Sequence, residues 1–293
     1  MEVQQSSLYR KYILSLGWQV ARIDGSNVFF RYFPLLGGMA KVQRPLKLPK
    51  PSKLIPLFKQ QKIRLVALEP DLTLARNRIN LWCRKMGRHF KINRSPYLPT
   101  KNIFVDLSPS EELIFKRFTE SKRRGVRRAL KNNVIIKESS DIQQLIMIKN
   151  KSAGLFGFIT TTGTAKLWPI FAPRHAAILL AYRQANYTDS ITNLQSDDGN
   201  LFDKQILGGV LLLFWEKKAY YWIAGATRQG KKLAAPTLLV WEALKLAKSR
   251  GCRQFDFLGV WDERLPLSNR KWLGFTKFKE GFGGKEVYYP TYL

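Results

Sequence analysis

Apolar positions along the chain switch between two spacings, and the switches mark out a run of short elements. Ser7 to Leu16 carries its apolar residues at helical spacing, and Gly17 stops it. Trp18 to Ile23 and Val28 to Phe33 alternate as strands. Four prolines between Pro45 and Pro56 predict a loop. Ile63 to Leu68 predicts a strand, Arg76 to Gly87 a helix and Ile103 to Leu107 a strand. Ser108-Pro109-Ser110-Glu111 then reads as a capping box with proline at the first helical position. A helix is predicted from there to about Lys131, bent near Gly125. Val134 to Lys137 closes this half as a strand.

The second half uses the same grammar. Helices are predicted at Ile142 to Ala153 and Thr164 to Pro169, and a strand at Ala176 to Tyr182. Asn186 to Asn200 is polar and reads as a hairpin loop. Ile206 to Trp215 and Lys218 to Ile223 are predicted to pair antiparallel. A helix starts near Pro236 and ends at Gly251, with Leu239, Val240, Ala243, Leu244 and Ala247 on its apolar face. Arg253 to Gly259 follows as a strand. Each half mixes strands with a few helices, which is an α+β layout, and 293 residues suit about two domains. No residue-level repeat is visible.

Charge changes this picture more than composition does. Hydrophobic residues make up 45% and aromatics 13%, enough for buried cores. Yet Lys and Arg number 50 against 21 Asp and Glu, a formal charge of +29, which calls for a polyanionic partner such as RNA, a phosphate-bearing substrate or an anionic membrane surface. The densest cluster is Lys122, Arg123, Arg124, Arg127, Arg128 and Lys131. It reads either as a solvated helix face or as an anion-binding surface, and the mutual repulsion of six like charges favours the second. No aromatic is interleaved there, so phosphate contact fits better than base stacking.

Several chemistries are poorly supplied. Two cysteines, Cys83 and Cys252, cannot build a disulfide framework and point to a reducing compartment. Two histidines, His89 and His175, leave little for a metal site or a Ser-His-Asp triad. There is no Walker loop or dinucleotide fingerprint. The opening residues lack a signal-peptide pattern, and the longest apolar run, Ile206 to Trp215, is about half a bilayer span, so a cytoplasmic protein is expected. Ala226 to Ala235 sits where an acetyl-CoA-dependent transferase carries a glycine-rich pyrophosphate cradle, but Lys231 and Leu233 stand where glycines are needed. Near the C-terminus, Trp272 to Glu286 sets Lys277 and Lys279 among glycines and phenylalanines. This is either a Gly-rich turn with exposed lysines or a lysine held partly desolvated to stabilise an oxyanion.

Three stretches in order resemble the FemABX family, the aminoacyl-tRNA-dependent transferases that build peptidoglycan cross-bridges. They are Pro99 to Ser108 with Lys122 to Val134; Tyr220 to Ala226 with the Pro236–Gly251 helix and Phe255 to Gly259; and Phe278-Lys279 followed by Gly281-Phe282-Gly283-Gly284. The resemblance implies two tandem N-acetyltransferase (GNAT)-like domains, 1–137 completed by 285–293, and 138–284. It implies no cofactor, CoA included. No heptad run is long enough for a coiled-coil arm, so the chain looks like an armless, FemX-like member.

The chemistry implied is acyl transfer from aminoacyl-tRNA to a stem-peptide amine on lipid II or UDP-MurNAc-pentapeptide. By resemblance Lys279 stabilises the tetrahedral intermediate, with the Phe278 carbonyl nearby. Asp106 matches a family aspartate near the acceptor, or is a strand-end turn residue. Tyr221 matches a tyrosine that contacts the muropeptide, or is a core aromatic. The N-terminal tryptophan of the family is Tyr9 here, and Lys11 is the candidate for the nearby phosphate-binding lysine. An arginine expected in the second domain is missing, with Lys149 or Lys151 as substitutes. The six-cation cluster is the candidate tRNA surface. A monomer that touches the inner face of the membrane fits this reading. A CoA-dependent N-acyltransferase and a non-catalytic RNA-binding protein are the alternatives.

Overall fold

The computed structural model describes residues 1–154, 159, 161–184, 206–266 and 270–292. The predicted hairpin loop at Asn186–Asn200 lies outside them. In chain order the elements are α1 (Ser7–Ser15), β1 (Gln19–Ile23), β2 (Ser26–Phe33), β3 (Gly37–Gln43), α2 (Pro51–Gln60), β4 (Ile63–Glu69), α3 (Arg76–Gly87), β5 (Lys91–Ile92) and β6 (Lys101–Asp106). Next come α4 (Glu111–Lys116), α5 (Glu120–Lys131), β7 (Val134–Ser139), α6 (Ile142–Ala153), α7 (Thr164–Phe171), β8 (Ala176–Arg183), β9 (Ile206–Trp215) and β10 (Lys218–Ala226). The last are α8 (Arg228–Lys232), α9 (Ala235–Ser249), β11 (Gln254–Gly259), α10 (Leu273–Glu280) and β12 (Lys285–Tyr288).

These elements form two compact units. The first holds Met1–Ile103, Leu258–Thr276 and Glu286–Leu293; the second holds Phe104–Phe257 and Lys277–Lys285. One sheet runs β1-β2-β3-β4-β5, and the other runs β12-β6-β11-β10-β9-β8-β7.

In the first unit β1, β2 and β3 are antiparallel, and β3, β4 and β5 run parallel. Asp24-Gly25 turns β1 into β2 with both residues at positive φ, the two-residue turn whose twist matches a hairpin. The β2–β3 connection is different. It is Pro34-Leu35-Leu36, with Leu35 at φ +70 and the Leu36 amide donating to the Pro34 carbonyl at 2.9 Å. Val28, Ala40, Val42 and Val66 face Leu54 and Phe58 of α2 and Ile79, Trp82 and Met86 of α3.

The stretch Pro45–Pro56, expected as a loop, contains the start of α2. Pro51 occupies the first turn, where its missing N–H costs nothing, and Pro56 sits inside the helix. Leu54 and Phe58 lie one turn apart and are fully buried. Each such burial contributes about 2 kcal/mol, which offsets the bond that Pro56 cannot make. β3 has no counterpart among the expected strands, because Gly37-Gly38 opens it. Gly38 needs to be glycine: a Cβ there would lie 2.6 Å from the Lys62 carbonyl oxygen. Gly38→Ala is therefore expected to cost about 1–3 kcal/mol in urea denaturation. A loss below about 0.5 kcal/mol would show that β3 and β4 can separate at no cost.

The C-terminal residues are fastened within this unit by charge. Lys101, 7% exposed, bridges Glu263 at 2.9 Å and Glu286 at 2.8 Å. The Tyr289 amide donates to the Thr100 carbonyl, and the Arg44 guanidinium lies 3.4 Å from the Tyr289 ring centroid.

In the second unit β7, β8, β9 and β10 are antiparallel in sequence order, and β11 joins β10 in parallel. The expected apolar face of α9 is buried, from Leu239 to Ala247. The single long helix expected after Ser108 is two helices. Ser110, not Ser108, caps α4 by accepting the Leu113 amide, and Ser108 donates its own amide to Asp106. The chain breaks at Arg117–Thr119, where Phe118 turns inward and is 2% exposed, and α5 starts afresh. Gly125 does not bend α5. It lets α5 approach α9, since a Cβ there would lie 3.1 Å from the Thr237 methyl.

Candidate functional site

The sheet of the second unit comes apart in its middle. β10 and β11 pair only over Lys218–Tyr220 against Gln254–Asp256, although both strands continue. β10 also shifts register against β9 between Tyr221 and Ile223.

Aromatic rings pack beside this opening. Phe255 and Phe257 of β11 are fully buried, and the Tyr221 ring lies 6.1 and 5.6 Å from theirs. Phe257 meets Phe282 at 5.5 Å, and Phe282 in turn meets Phe278 at 5.1 Å and Phe118 at 5.0 Å. Tyr221 is buried, which pushes its hydroxyl well above the usual tyrosine range.

The segment with Phe278 and Lys279 is the end of α10 and a turn, not a turn alone. Lys277 is exposed and Lys279 is half-buried. Burial pulls the Lys279 ammonium down to about 7; the fully buried Asp256 opposes this, and Lys149 adds to it. Lys149 is itself lowered by burial and by Lys231. Its backbone crosses β10 so closely that a Cβ on Gly225 would lie 2.8 Å from its Cα. Lys279, Lys149 and Lys231 are thus electrostatic neighbours, with Asp256 as the buried counter-charge. A lysine near 7 is part ammonium and part amine at neutral pH, which suits it to donate to an oxyanion or to exchange a proton.

Two stretches far apart in sequence meet here. The Thr119 amide donates to the Gly281 carbonyl at 2.9 Å. Lys122 Nζ lies 4.0 Å from the Phe278 ring centroid and 5.2 Å from that of Phe282, and burial lowers its pKa. Gly281 makes room, because a Cβ there would lie 2.6 Å from Lys122 Cε. Lys122 therefore faces the rings beside Lys279.

The other members of the cluster are dispersed. Arg123 binds the Glu120 carboxylate at 2.7 Å and the Phe118 carbonyl at 2.6 Å. Arg124 and Arg127 are exposed, each 3.8 Å from Glu120. Arg128 donates to the Lys232 carbonyl, and Lys131 is exposed. Asp106 ends β6 with an exposed side chain, held by the Ser108 amide and 3.7 Å from Arg117; these partners keep its carboxyl below the usual range. Lys151 is exposed on α6, and Lys11 is exposed on α1 of the first unit.

Asp256 was not legible as a site residue, although an aspartate between two phenylalanines of a buried strand is a signal in itself. In the glycine-poor loop, Thr227 caps α8 by accepting the Gly230 amide. Gly230 is pressed onto Leu207, with room for no side chain: a Cβ would lie 2.0 Å from the Leu207 oxygen. Among the described residues no group of His, Cys, Asp and Glu could hold a metal, and no helix is long and apolar enough to cross a membrane.

Residues 181–289 match the family model described as FemAB family. Among solved structures the chain is similar to FemX, at 15% identity and a TM-score of 0.73 over 98% of this chain and 90% of that one. It is similar to L-PGS from Bacillus licheniformis, at 11% identity and a TM-score of 0.54 over 96% and 86%. A tandem GNAT protein from the clavulanic acid biosynthesis pathway matches at 9% identity and a TM-score of 0.51 over 94% and 83%. None of the curated proteins matches the chain. The fold is thus of the tandem GNAT kind, as the α+β pattern and the resemblance led one to expect.

Proposed function

We propose, from the match of residues 181–289 to the FemAB family model, that the chain moves an amino acid from aminoacyl-tRNA to the stem-peptide amine of a peptidoglycan precursor. The observation that carries the reading is Lys279, half-buried beside Asp256 and Lys149, with a pKa of about 7.

In this reading the acceptor amine adds to the ester carbonyl of aminoacyl-tRNA. A C–N bond forms, and the carbonyl electrons move onto oxygen. Lys279, as ammonium, donates a hydrogen bond to that oxyanion, and the Phe278 carbonyl accepts one from the amine. Collapse expels the terminal hydroxyl oxygen of the tRNA, which leaves with the proton that the amine gave up. Asp106, ionised throughout the neutral range, orients the amine and is a poor proton acceptor. Tyr221 is buried against Phe255 and Phe257, which favours its reading as a core aromatic over contact with the muropeptide. Lys149 or Lys151 of the second unit meets substrate phosphates, Lys11 on α1 of the first unit is a separate candidate for a phosphate, and Lys122, Arg124, Arg127, Arg128 and Lys131 face the tRNA. The reaction takes place in the cytoplasm at the inner face of the membrane.

The test is single-turnover transfer from a pool of labelled aminoacyl-tRNAs to UDP-MurNAc-pentapeptide and to lipid II, with acetyl-CoA as a parallel donor. Label moving from tRNA to either muropeptide supports the reading. Transfer from acetyl-CoA alone overturns it in favour of a CoA-dependent enzyme.

A pH profile tests the charge on Lys279. Arginine stays charged at every working pH, whereas Lys279 loses its proton above about 7. The ratio of Lys279→Arg to wild-type kcat/KM is therefore expected to rise by up to about tenfold per pH unit above neutrality. Titration of the acceptor amine is common to both enzymes and cancels. A ratio that stays flat from pH 6 to 9 would remove the ammonium from the mechanism.

A further inference from the structure

We propose that the β2–β3 tip of the first unit docks on an anionic lipid bilayer. Leu35 and Leu36 enter the hydrocarbon edge, and Arg31, Lys59, Lys62 and Arg64 meet the headgroup phosphates. The inference rests on the reading above for why a bilayer matters to this chain, but its test does not use transfer.

The tip breaks two rules at once. Leu35 is 101% exposed, Leu36 79% and Tyr32 55%. Leu35 also holds φ +70, a three-residue turn conformation that is strained for a side-chain-bearing residue. Neither solubility nor backbone energy favours a leucine there, so its use lies in what it meets. The base of the tip is braced. The Trp18 and Phe33 rings lie 6.0 Å apart, and Arg31 sits over the Phe33 ring while donating to the Leu16 carbonyl at 3.0 Å.

Cations surround the tip. The Gly38 amide bonds the Lys62 carbonyl, and a Cβ on Gly37 would lie 2.7 Å from Arg64 Cδ. Lys59 stands on the last turn of α2, and Lys59, Lys62 and Arg64 are all exposed. Between Val3 and Leu68 the chain has twelve Lys and Arg and one acid, Asp24. That acid lies in the β1–β2 turn, at the opposite end of β2 from the tip, and is paired with Lys53. An aliphatic apex inside a basic collar, free of carboxylates, is the pattern of an interfacial anchor, in which apolar burial and attraction to anionic lipid act together. A nucleic acid would use the collar but has nothing to offer two leucines, which neither stack nor hydrogen-bond.

The experiment is co-sedimentation of the full chain with vesicles of phosphatidylcholine alone or with a quarter phosphatidylglycerol, beside binding of bulk tRNA. Leu35→Ser with Leu36→Ser is expected to weaken anionic-vesicle binding about tenfold or more. Its thermal midpoint and tRNA affinity stay at wild-type values. Lys62→Gln with Arg64→Gln lowers binding to anionic vesicles and flattens its salt dependence. A fluorophore on Leu36→Cys shifts to the blue with anionic vesicles, Cys83 and Cys252 being buried. Wild-type vesicle binding by the leucine variant, or loss of its tRNA binding, overturns the proposal; the second result makes the tip an RNA surface. All these readouts stand whether or not the chain transfers an amino acid.

Discussion

Replacing Lys279 with methionine is expected to lower single-turnover transfer about 10²–10³-fold at pH 7, the usual cost of removing one oxyanion donor. Methionine keeps the aliphatic stem and removes the charge. Stability is expected to move the other way. The folded-state pKa lies near 7, below the 10.5 of a free lysine. Between those values the unfolded chain binds more protons than the folded one, so this residue makes stability rise with pH through that window. Below about 7 both states are protonated, and the cost of burying the charge is felt in full. The variant is thus expected to match or exceed wild type in thermal midpoint at pH 6 and to lose the rise toward pH 9. A variant that is inactive and also less stable at pH 6 would make Lys279 a structural residue.

Phe282→Ala is expected to remove about 3–5 kcal/mol of stability, the range for large-to-small changes in a closed core. Phe282 is fully buried, and its ring touches three others, those of Phe118, Phe257 and Phe278. Against a typical total of about 5–15 kcal/mol, this is a fifth or more of the stability. Transfer falls as well, because Phe282 steadies Phe278 and the turn behind Lys279. Phe282→Leu, which keeps most of the volume, costs about 1.5 kcal/mol or less. Urea denaturation of both variants checks the order. Equal losses would mean that ring–ring geometry, and not volume, holds the cluster.

The fold was legible where local signals agreed. Asp141 followed by an apolar-periodic run yields α6 at its expected bounds, capped by the Gln143 and Gln144 amides on its carboxylate. The β9–β10 pair followed from two strongly apolar strands around a two-residue turn, Glu216-Lys217. Errors came where a local signal had a distant competitor. The prolines before Pro56 suggested a loop, but Leu54 and Phe58 bury enough surface to impose a helix. Ser108-Pro109 looked like a cap, yet Phe118 needs the aromatic core, and the chain breaks to put it there.

The candidate site shows the same divide. Residue types at Phe278-Lys279 and Lys122 could be read off the chain, but not that they touch, since 156 positions separate Lys122 from Phe278. Nor could the lowered pKa of Lys279 be seen, because it depends on burial and on Asp256 and Lys149. The exposure of Leu35 and Leu36 is invisible in hydropathy, where they read as more apolar chain.

The order of chain segments in the two units also governs birth of the protein on the ribosome. Residues 1–103 emerge first, yet the unit that they begin also needs Leu258–Thr276 and Glu286–Leu293. The Thr100 carbonyl and the Arg44 guanidinium must wait for Tyr289. Translation at about 5–20 residues per second makes that a delay of roughly ten seconds or more. Throughout it Tyr292, the late residue that packs against the core of β2, β3 and β4, is missing, so the nascent chain is a natural client for holding chaperones. A tag or fusion at the C-terminus would burden the segment that ends the wait.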